Sequence, residues 1–500
     1  MNPNHCLIFN ESKIQSMYRV RRVLHRPVPY AKNPLVFGSE YCDREKLAEL
    51  QTGKANLSGQ AEGPETDQHK LIRSKQEFGF DKWFLPSQFG ARAQEPVSIV
   101  KSPLTGRLQM YYWVNGGLAF ADSGWGGGSS VTCYAESEDG INWHLPVLRK
   151  VSVFGSTENN VLFGPGSYPY VVLDTNEKDP AKIYKAFIHP GPRIAFSADG
   201  INWSEPLKAS LNTKIGRSDG DTFFGWDEYH KKYVAYFRPW REFENDPADK
   251  HFRRRIGRAQ SDDLINWNNH LCVLSADNKD PEESELERMV VFRYGDLYLG
   301  LLVVFNTVPE QRHAISHMHG TVYVELAYSS DGIKWHRFDE RDPFLSFLSG
   351  IKDAGMALPA HQCVEIEDQL YFYYESTNLL HGEFPYNARC CLARLTKDRF
   401  AGFRADDLEG YVQTKPFVCP GGKLRVNADV SVGHLRAAVV ASDGIHELEY
   451  AMYRCNYIQS QATEHTIKWM NATDLNALKG KSISLKFYLR NAEIFSYWFE

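Results

Sequence analysis

No stretch of the chain approaches the roughly 18–20 uninterrupted apolar residues of a membrane-spanning helix, so no helical span is expected. Neither sign of charge dominates: 57 basic and 62 acidic residues leave a net charge of −5. Nucleic-acid binders normally carry a basic excess or stripe, so nucleic acid is not an expected partner. The nine cysteines are odd in number and contain no Cys-x-x-Cys pair. That argues against a structural zinc site, and no metal or cofactor is expected. Cys390–Cys391 sit in a strand-like run and read as small buried apolar groups. The P-loop, the dinucleotide fingerprint and the nucleophile elbow are missing, which disfavours NTPase, Rossmann and serine-hydrolase chemistry. The opening residues lack the charged start and apolar core of a secretory signal, so a reducing, cytoplasmic setting is the default expectation.

What is present is a chain of ordinary globular composition, 43% hydrophobic and 24% charged, which excludes wholesale disorder. Its 500 residues exceed one ordinary core of about 100–200 residues. Aromatic residues reach 13%, a composition suited to strands and to sugar-stacking surfaces.

An internal repeat organises the sequence. Ser137-Glu-Asp-Gly-Ile-Asn-Trp143 returns as Ser197-Ala-Asp-Gly-Ile-Asn-Trp203, as Ser261-Asp-Asp-Leu-Ile-Asn-Trp267 and as Ser329-Ser-Asp-Gly-Ile-Lys-Trp335. The copies lie 60, 64 and 68 residues apart, with a degenerate copy, Leu395–Phe400, about 67 further on. Each follows an alternating strand-like run. Asp-Gly between such runs signals a hairpin, and four strands per unit in five units predict an all-β, five-bladed β-propeller over 95–415. Residues 1–94 would hold a segment that partly closes the ring at Lys32-Asn33-Pro34-Leu35, a short helix at Cys42–Leu50 and a polar insertion. Five strand-like runs at sandwich spacing predict a β-sandwich over 416–500. The aspartates of the repeated turn read as turn formers, because chemistry repeated in every blade cannot mark one site.

Blade geometry then assigns faces. The starts of the innermost strands share one end with the loops between second and third strands. Those loops carry Trp125, Trp240, His319 and His381, flat and hydrogen-bonding groups suited to a polar, sugar-like ligand. His313, His317 and His319 are more simply loop polarity than a metal site. The inner-strand starts offer Glu95, Glu158, Asn159, Asp219, Asp221, Glu285, Glu287, Asp353 and His361. Carboxylates crowded around one axis repel, so one is held protonated while another stays ionised. Glycosidic cleavage needs that division of labour. Asp221 is the leading catalytic candidate, with Glu158 and Asp353 as partners; Asn159, Arg217, Asp219, Trp125, Trp240, His319 and His381 are expected to bind substrate.

Together with Asn33-Pro34-Leu35 upstream, the repeated turn resembles the five-bladed propeller glycoside hydrolases, distantly the invertase/levanase and arabinanase/xylosidase families. Glu158-Asn-Asn-Val, Ser218-Asp-Gly-Asp221-Thr and Asp353-Ala-Gly-Met carry the likeness, with Leu485-Lys-Phe-Tyr-Leu-Arg-Asn at the C-terminal end. The resemblance implies a glycoside hydrolase acting on an oligo- or polysaccharide. The invertase Asn-Asp-Pro-Asn-Gly and Glu-Cys motifs are absent, and Arg341-Asp342-Pro343 follows Trp335 rather than opening a blade, so invertase roles do not transfer. A glycoside phosphorylase and a non-catalytic carbohydrate-binding propeller are the alternatives. A protein-interaction scaffold fits less well, because the loops are polar.

Overall fold

In the computed structural model, the described residues are 5–35, 94–115, 130–151, 157–164, 166–189, 191–211, 220–238, 254–307, 319–381, 388–441, 443–460 and 462–500. The expected helix at 42–50 and the polar insertion lie outside them. Among the described residues the fold is all-β, with helical geometry confined to three-residue 3₁₀ turns.

Alternating apolar runs form antiparallel sheets in chain order. The first contains Gln94–Lys101, Leu108–Asn115, Ser130–Ser137 and Val161–Phe163. The second contains Tyr168–Leu173, Tyr184–His189, Arg193–Ser197 and Leu207–Lys208, and the third Thr222–Asp227, Lys232–Phe237, Ile256–Ser261 and Trp267–Leu274. Next comes a nine-stranded sheet of two antiparallel groups, Ser284–Arg337 and Met356–Thr396, joined by one parallel pair, Val322 with Met356. Its outer strand is Val28–Pro29, which pairs with Ala393 and Arg394. Asn33 extends this attachment: its side chain donates to the Leu392 carbonyl at 2.8 Å and accepts from the Leu392 amide at 2.9 Å. The N-terminal segment is thereby fastened to the last repeat.

The innermost strands meet in succession. Gln94–Lys101 touches Tyr168–Leu173, which touches Thr222–Asp227, which touches Ser284–Tyr294. The last repeat returns to the first, because the His361 amide donates to the Val97 carbonyl at 2.7 Å. Each repeated turn forms as its residue types require. Ser137 Oγ receives the Gly140 amide at 2.9 Å, while Asp139 Oδ1 receives the amides of Ile141 and Asn142. The same contacts recur at Ser197/Asp199, Ser261/Asp263 and Ser329/Asp331. These aspartates are occupied with turn amides, as their residue type predicts.

Two further antiparallel sheets share one apolar core that includes Phe403, Val412, Val426, Val439, Leu485, Phe487 and Ile494. Strands fall at Leu424–Asp429, His434–Ala441, Ser482–Arg490 and Ala492–Phe499, close to the runs read from sequence. The sheets also extend beyond 416–500. They recruit Ala401–Ala405 and Gly410–Thr414, and the N-terminal strands Cys6–Leu7, Ile14–Tyr18 and Arg21–Leu24. Period-two alternation identifies such strands but not their partners, which here lie at the other end of the chain.

Candidate functional site

The starts of the inner strands bring a polar cluster together. Glu95, near the start of the first strand, is 7% exposed. It accepts hydrogen bonds from Arg288 Nη2 at 2.7 Å and from the Tyr168 hydroxyl. Arg288 Nη1 also faces the hydroxyls of Tyr168 and Tyr170 at 3.1 and 3.3 Å. Glu375, buried on the strand Gln369–Thr377, hydrogen-bonds Glu95. Burial and the neighbouring Glu95 charge hold its carboxyl well above the ordinary glutamate range, with Arg288 pulling the other way. A buried acid that keeps its proton beside a carboxylate gripped by an arginine is the arrangement expected of two like charges that cannot both ionise.

Asp221 precedes the strand Thr222–Asp227 and is 1% exposed, with His189 Nδ1 at 3.4 Å from Oδ2. It acts electrostatically on Tyr170, which ties it to the Glu95–Arg288 group. Gly220 lets the backbone pass close to its neighbours: a Cβ there would lie 2.7 Å from the Glu287 carbonyl and 3.0 Å from Arg238 Cβ. Glu287 pairs with Arg238 and, at 2.9 Å, with Arg254 Nε, while Arg254 also holds Glu285. Burial pushes the Glu287 carboxyl up, but Arg238 and Arg254, with His381, outweigh it and bring it to about 2. His361 is buried, with its ring 5.9 Å from that of Tyr170. Burial pushes its imidazole down to about 4, against the pull of the Phe223 carbonyl, so the ring is neutral near pH 7.

The other residues singled out from sequence are distributed differently. Glu158 is exposed and forms a two-pronged ion pair with Arg149 at 2.7 and 2.9 Å. Asn159 is buried and turned to the backbone, donating to the Val151 carbonyl and accepting the Val161 amide. Asp353 is exposed, ahead of Met356–Pro359. His319 is half-buried, and His381 sits with its ring 5.0 Å from Phe305. Arg217, Asp219, Trp125 and Trp240 lie outside the described residues.

Sequence reasoning missed Arg288, Tyr168 and Tyr170 as members of the cluster. The reason for Arg288 is a bulge. Leu286 pairs with Val304 but Arg288 with Val303, leaving Glu287 as an extra residue. Strict alternation would place Arg288 on the Leu286 face, whereas the bulge returns it to the face of Glu285. Register shifts also fall between Pro96 and Ser98 and between Phe223 and Gly225. Inner strands of three repeats are therefore re-aimed beside the cluster. The tyrosines carried no sequence signal beyond strand propensity.

No known protein family and no curated protein matches the sequence. Among solved structures, the chain is similar to a glycosyl hydrolase from Bacteroides ovatus, at 14% identity and a TM-score of 0.38, covering 60% of this chain and 84% of that one. It is also similar to a β-1,2-mannobiose phosphorylase from Listeria innocua, at 12% identity and a TM-score of 0.38, covering 61% and 92%. Likenesses at this level carry no argument about activity.

Proposed function

We propose that the chain is a carbohydrate-active enzyme, a glycoside hydrolase built on a five-bladed β-propeller with an attached β-sandwich, cleaving an oligo- or polysaccharide at the axial cluster. The observation that carries this reading is the buried Glu95–Glu375 pair beside Asp221. Glu375 is the proton donor to the leaving glycosidic oxygen. Glu95, gripped by Arg288 and Tyr168, keeps that proton on Glu375 until substrate arrives. The Asp221 carboxyl, oriented by His189, acts on the opposite side of the bond. Glu158 and Asp353 are exposed and are assigned no proton-transfer step. His319 and His381 are assigned to substrate contact, as are Trp125, Trp240, Arg217 and Asp219.

Phosphorolysis is the second reading, favoured by Arg238 and Arg254 converging beside His381 and Glu287. Each guanidinium already faces a carboxylate, which weighs against a free phosphate subsite and puts hydrolysis first. The test is a glycan-cleavage screen with and without inorganic phosphate, using wild type, Asp221→Asn and Glu375→Gln. Phosphate-independent turnover lost in both variants, with cooperative unfolding showing both to be folded, is expected. Turnover only with phosphate would replace hydrolysis by phosphorolysis. Turnover surviving both substitutions would remove the cluster from the mechanism.

A further inference from the structure

The sheet holding Ile14–Tyr18, Gly410–Thr414, Ser482–Arg490 and His434–Ala441 presents two different faces. Val412, Phe487 and Leu489 point into the apolar core. On the other face, register places Tyr18 opposite Tyr411, Tyr411 opposite Tyr488, and Tyr488 opposite Arg436. Tyr457 completes the row, with the Arg436 guanidinium 4.6 Å from its ring centre. Ring centroids are 6.0 Å apart for Tyr18 and Tyr411 and 6.1 Å for Tyr411 and Tyr488. At about 4.8 Å between neighbouring strands, five positions span roughly 19 Å.

This row is exposed at its ends, half-buried at Tyr411 and Tyr488, and lined by cations. Tyr18 and Tyr457 are 51% and 54% exposed, unusual for large aromatics. Lys486 Nζ stands 3.7 Å from the Tyr411 ring centre and 5.3 Å from that of Tyr488, and Arg19 lies 4.9 Å from that of Tyr18. Beside Arg19, Lys486 and Arg436 stands the carboxylate of Glu409, which pairs with Arg436 at 2.9 Å and lies 3.5 Å from His434. Cross-strand aromatic pairing stabilises a sheet, but that role needs neither the exposure nor the row of cations. Rings interleaved with cations offer a ligand both apolar faces and positive charge.

We propose that this face is a binding platform for an acidic polysaccharide, a chain of sugar rings carrying carboxylates. The sugar faces would lie on Tyr18, Tyr411, Tyr488 and Tyr457, and the carboxylates would meet Arg19 and Lys486, while Arg436, held by Glu409, braces Tyr457. Interleaved cations and rings also suit single-stranded nucleic acid; the choice of a glycan rests on the proposed function, while the existence of the platform does not.

Native-gel retardation with polygalacturonate in the gel tests it, against gels containing neutral mannan or an oligothymidylate. The wild type is expected to be retarded by polygalacturonate, less so at raised salt, and not by mannan. Tyr411→Ala and Lys486→Gln should each weaken retention about fivefold or more, with melting checked for both; the lysine change removes no core contact. Glu375→Gln should be retarded like the wild type, so loss of catalysis and loss of the platform read out separately. Absence of retardation by polygalacturonate, equal retardation by mannan, both variants retained like the wild type, or retardation by the oligonucleotide alone would each overturn the proposal.

Discussion

Replacing Glu375 by Gln should abolish turnover and at the same time make the protein more stable at neutral pH. The side chain is buried, hydrogen-bonded to Glu95 and held protonated by burial and the Glu95 charge. Above the ordinary glutamate range the unfolded chain has released this proton and the folded chain has not. Folding then takes up a proton, so the contribution is fully present at low pH and is lost as pH rises toward the raised folded value. One such proton changes stability by about 1.4 kcal/mol per pH unit in that window. Glutamine keeps the donor to Glu95 and has no proton to lose. The stability difference between Glu375→Gln and wild type should therefore widen in favour of the variant as pH is raised from about 4.5 upward. Denaturant midpoints for the two proteins, taken in parallel from pH 4.5 to 8, measure it. A difference independent of pH, or one that favours the wild type increasingly with pH, would mean that Glu375 is ionised in the folded protein, and the acid role would fall with it.

Arg288→Met removes donors to Glu95 and to both tyrosines and leaves a buried carboxylate without its cation; a loss of about 3–5 kcal/mol, read by denaturant unfolding, is expected. Glu158→Ala breaks an exposed pair with Arg149, so stability should change by less than about 1 kcal/mol in the same experiment. Gly200→Ala should cost about 2–4 kcal/mol, because the residue holds φ +80° and its new Cβ would meet the buried Tyr111 hydroxyl; the left-handed backbone and the displaced hydroxyl bond both contribute. Combined with Tyr111→Phe the cost should be less than the sum, a departure that a double-mutant cycle measures.

Much of the architecture was legible because the repeated turn is local chemistry. Serine, aspartate and glycine at fixed offsets specify it without reference to the rest of the chain, and alternation specifies the strands around it. The acidic members of the cluster were legible for a related reason: Glu95, Asp221, Glu285 and Glu287 stand at or near the starts of Gln94–Lys101, Thr222–Asp227 and Ser284–Tyr294, where the cluster forms. Glu158 was expected at such a start too, yet the strand it precedes, Val161–Phe163, pairs at the outer edge of the first sheet, so Glu158 meets Arg149 in solvent. One misplaced strand moved a carboxylate from the buried cluster to the surface. Arg288 needed a bulge that no residue pattern announces, and the recruitment of Cys6–Leu24 by the C-terminal sheets needed contacts across nearly the whole chain.

The third copy of the turn, which carries Leu264 in the place of glycine, shows how far the local reading reaches. The Gly140 carbonyl accepts the Tyr373 hydroxyl at 2.7 Å, the Gly200 carbonyl that of Tyr111 at 3.0 Å, and the Gly332 carbonyl that of Tyr236 at 2.8 Å. Each tyrosine belongs to a neighbouring repeat, so the turns fasten one sheet to the next, and the hydroxyl fits only because the turn residue has no Cβ. In the third repeat Leu264 takes the left-handed position at φ 69°, in one apolar cluster with Phe187. A ring without a hydroxyl leaves room for a side chain, and the leucine fills it. The glycine is thus set by its neighbour's oxygen as well as by the turn. Phe187→Tyr should consequently destabilise the protein by about 1–3 kcal/mol, burying a hydroxyl whose acceptor the leucine covers. Adding Leu264→Gly should recover much of that loss, measured by unfolding of the single and double variants. If the double variant is as unstable as the sum of the two single ones, the hydroxyl and the glycine are independent and the interlock is not what selects the residue.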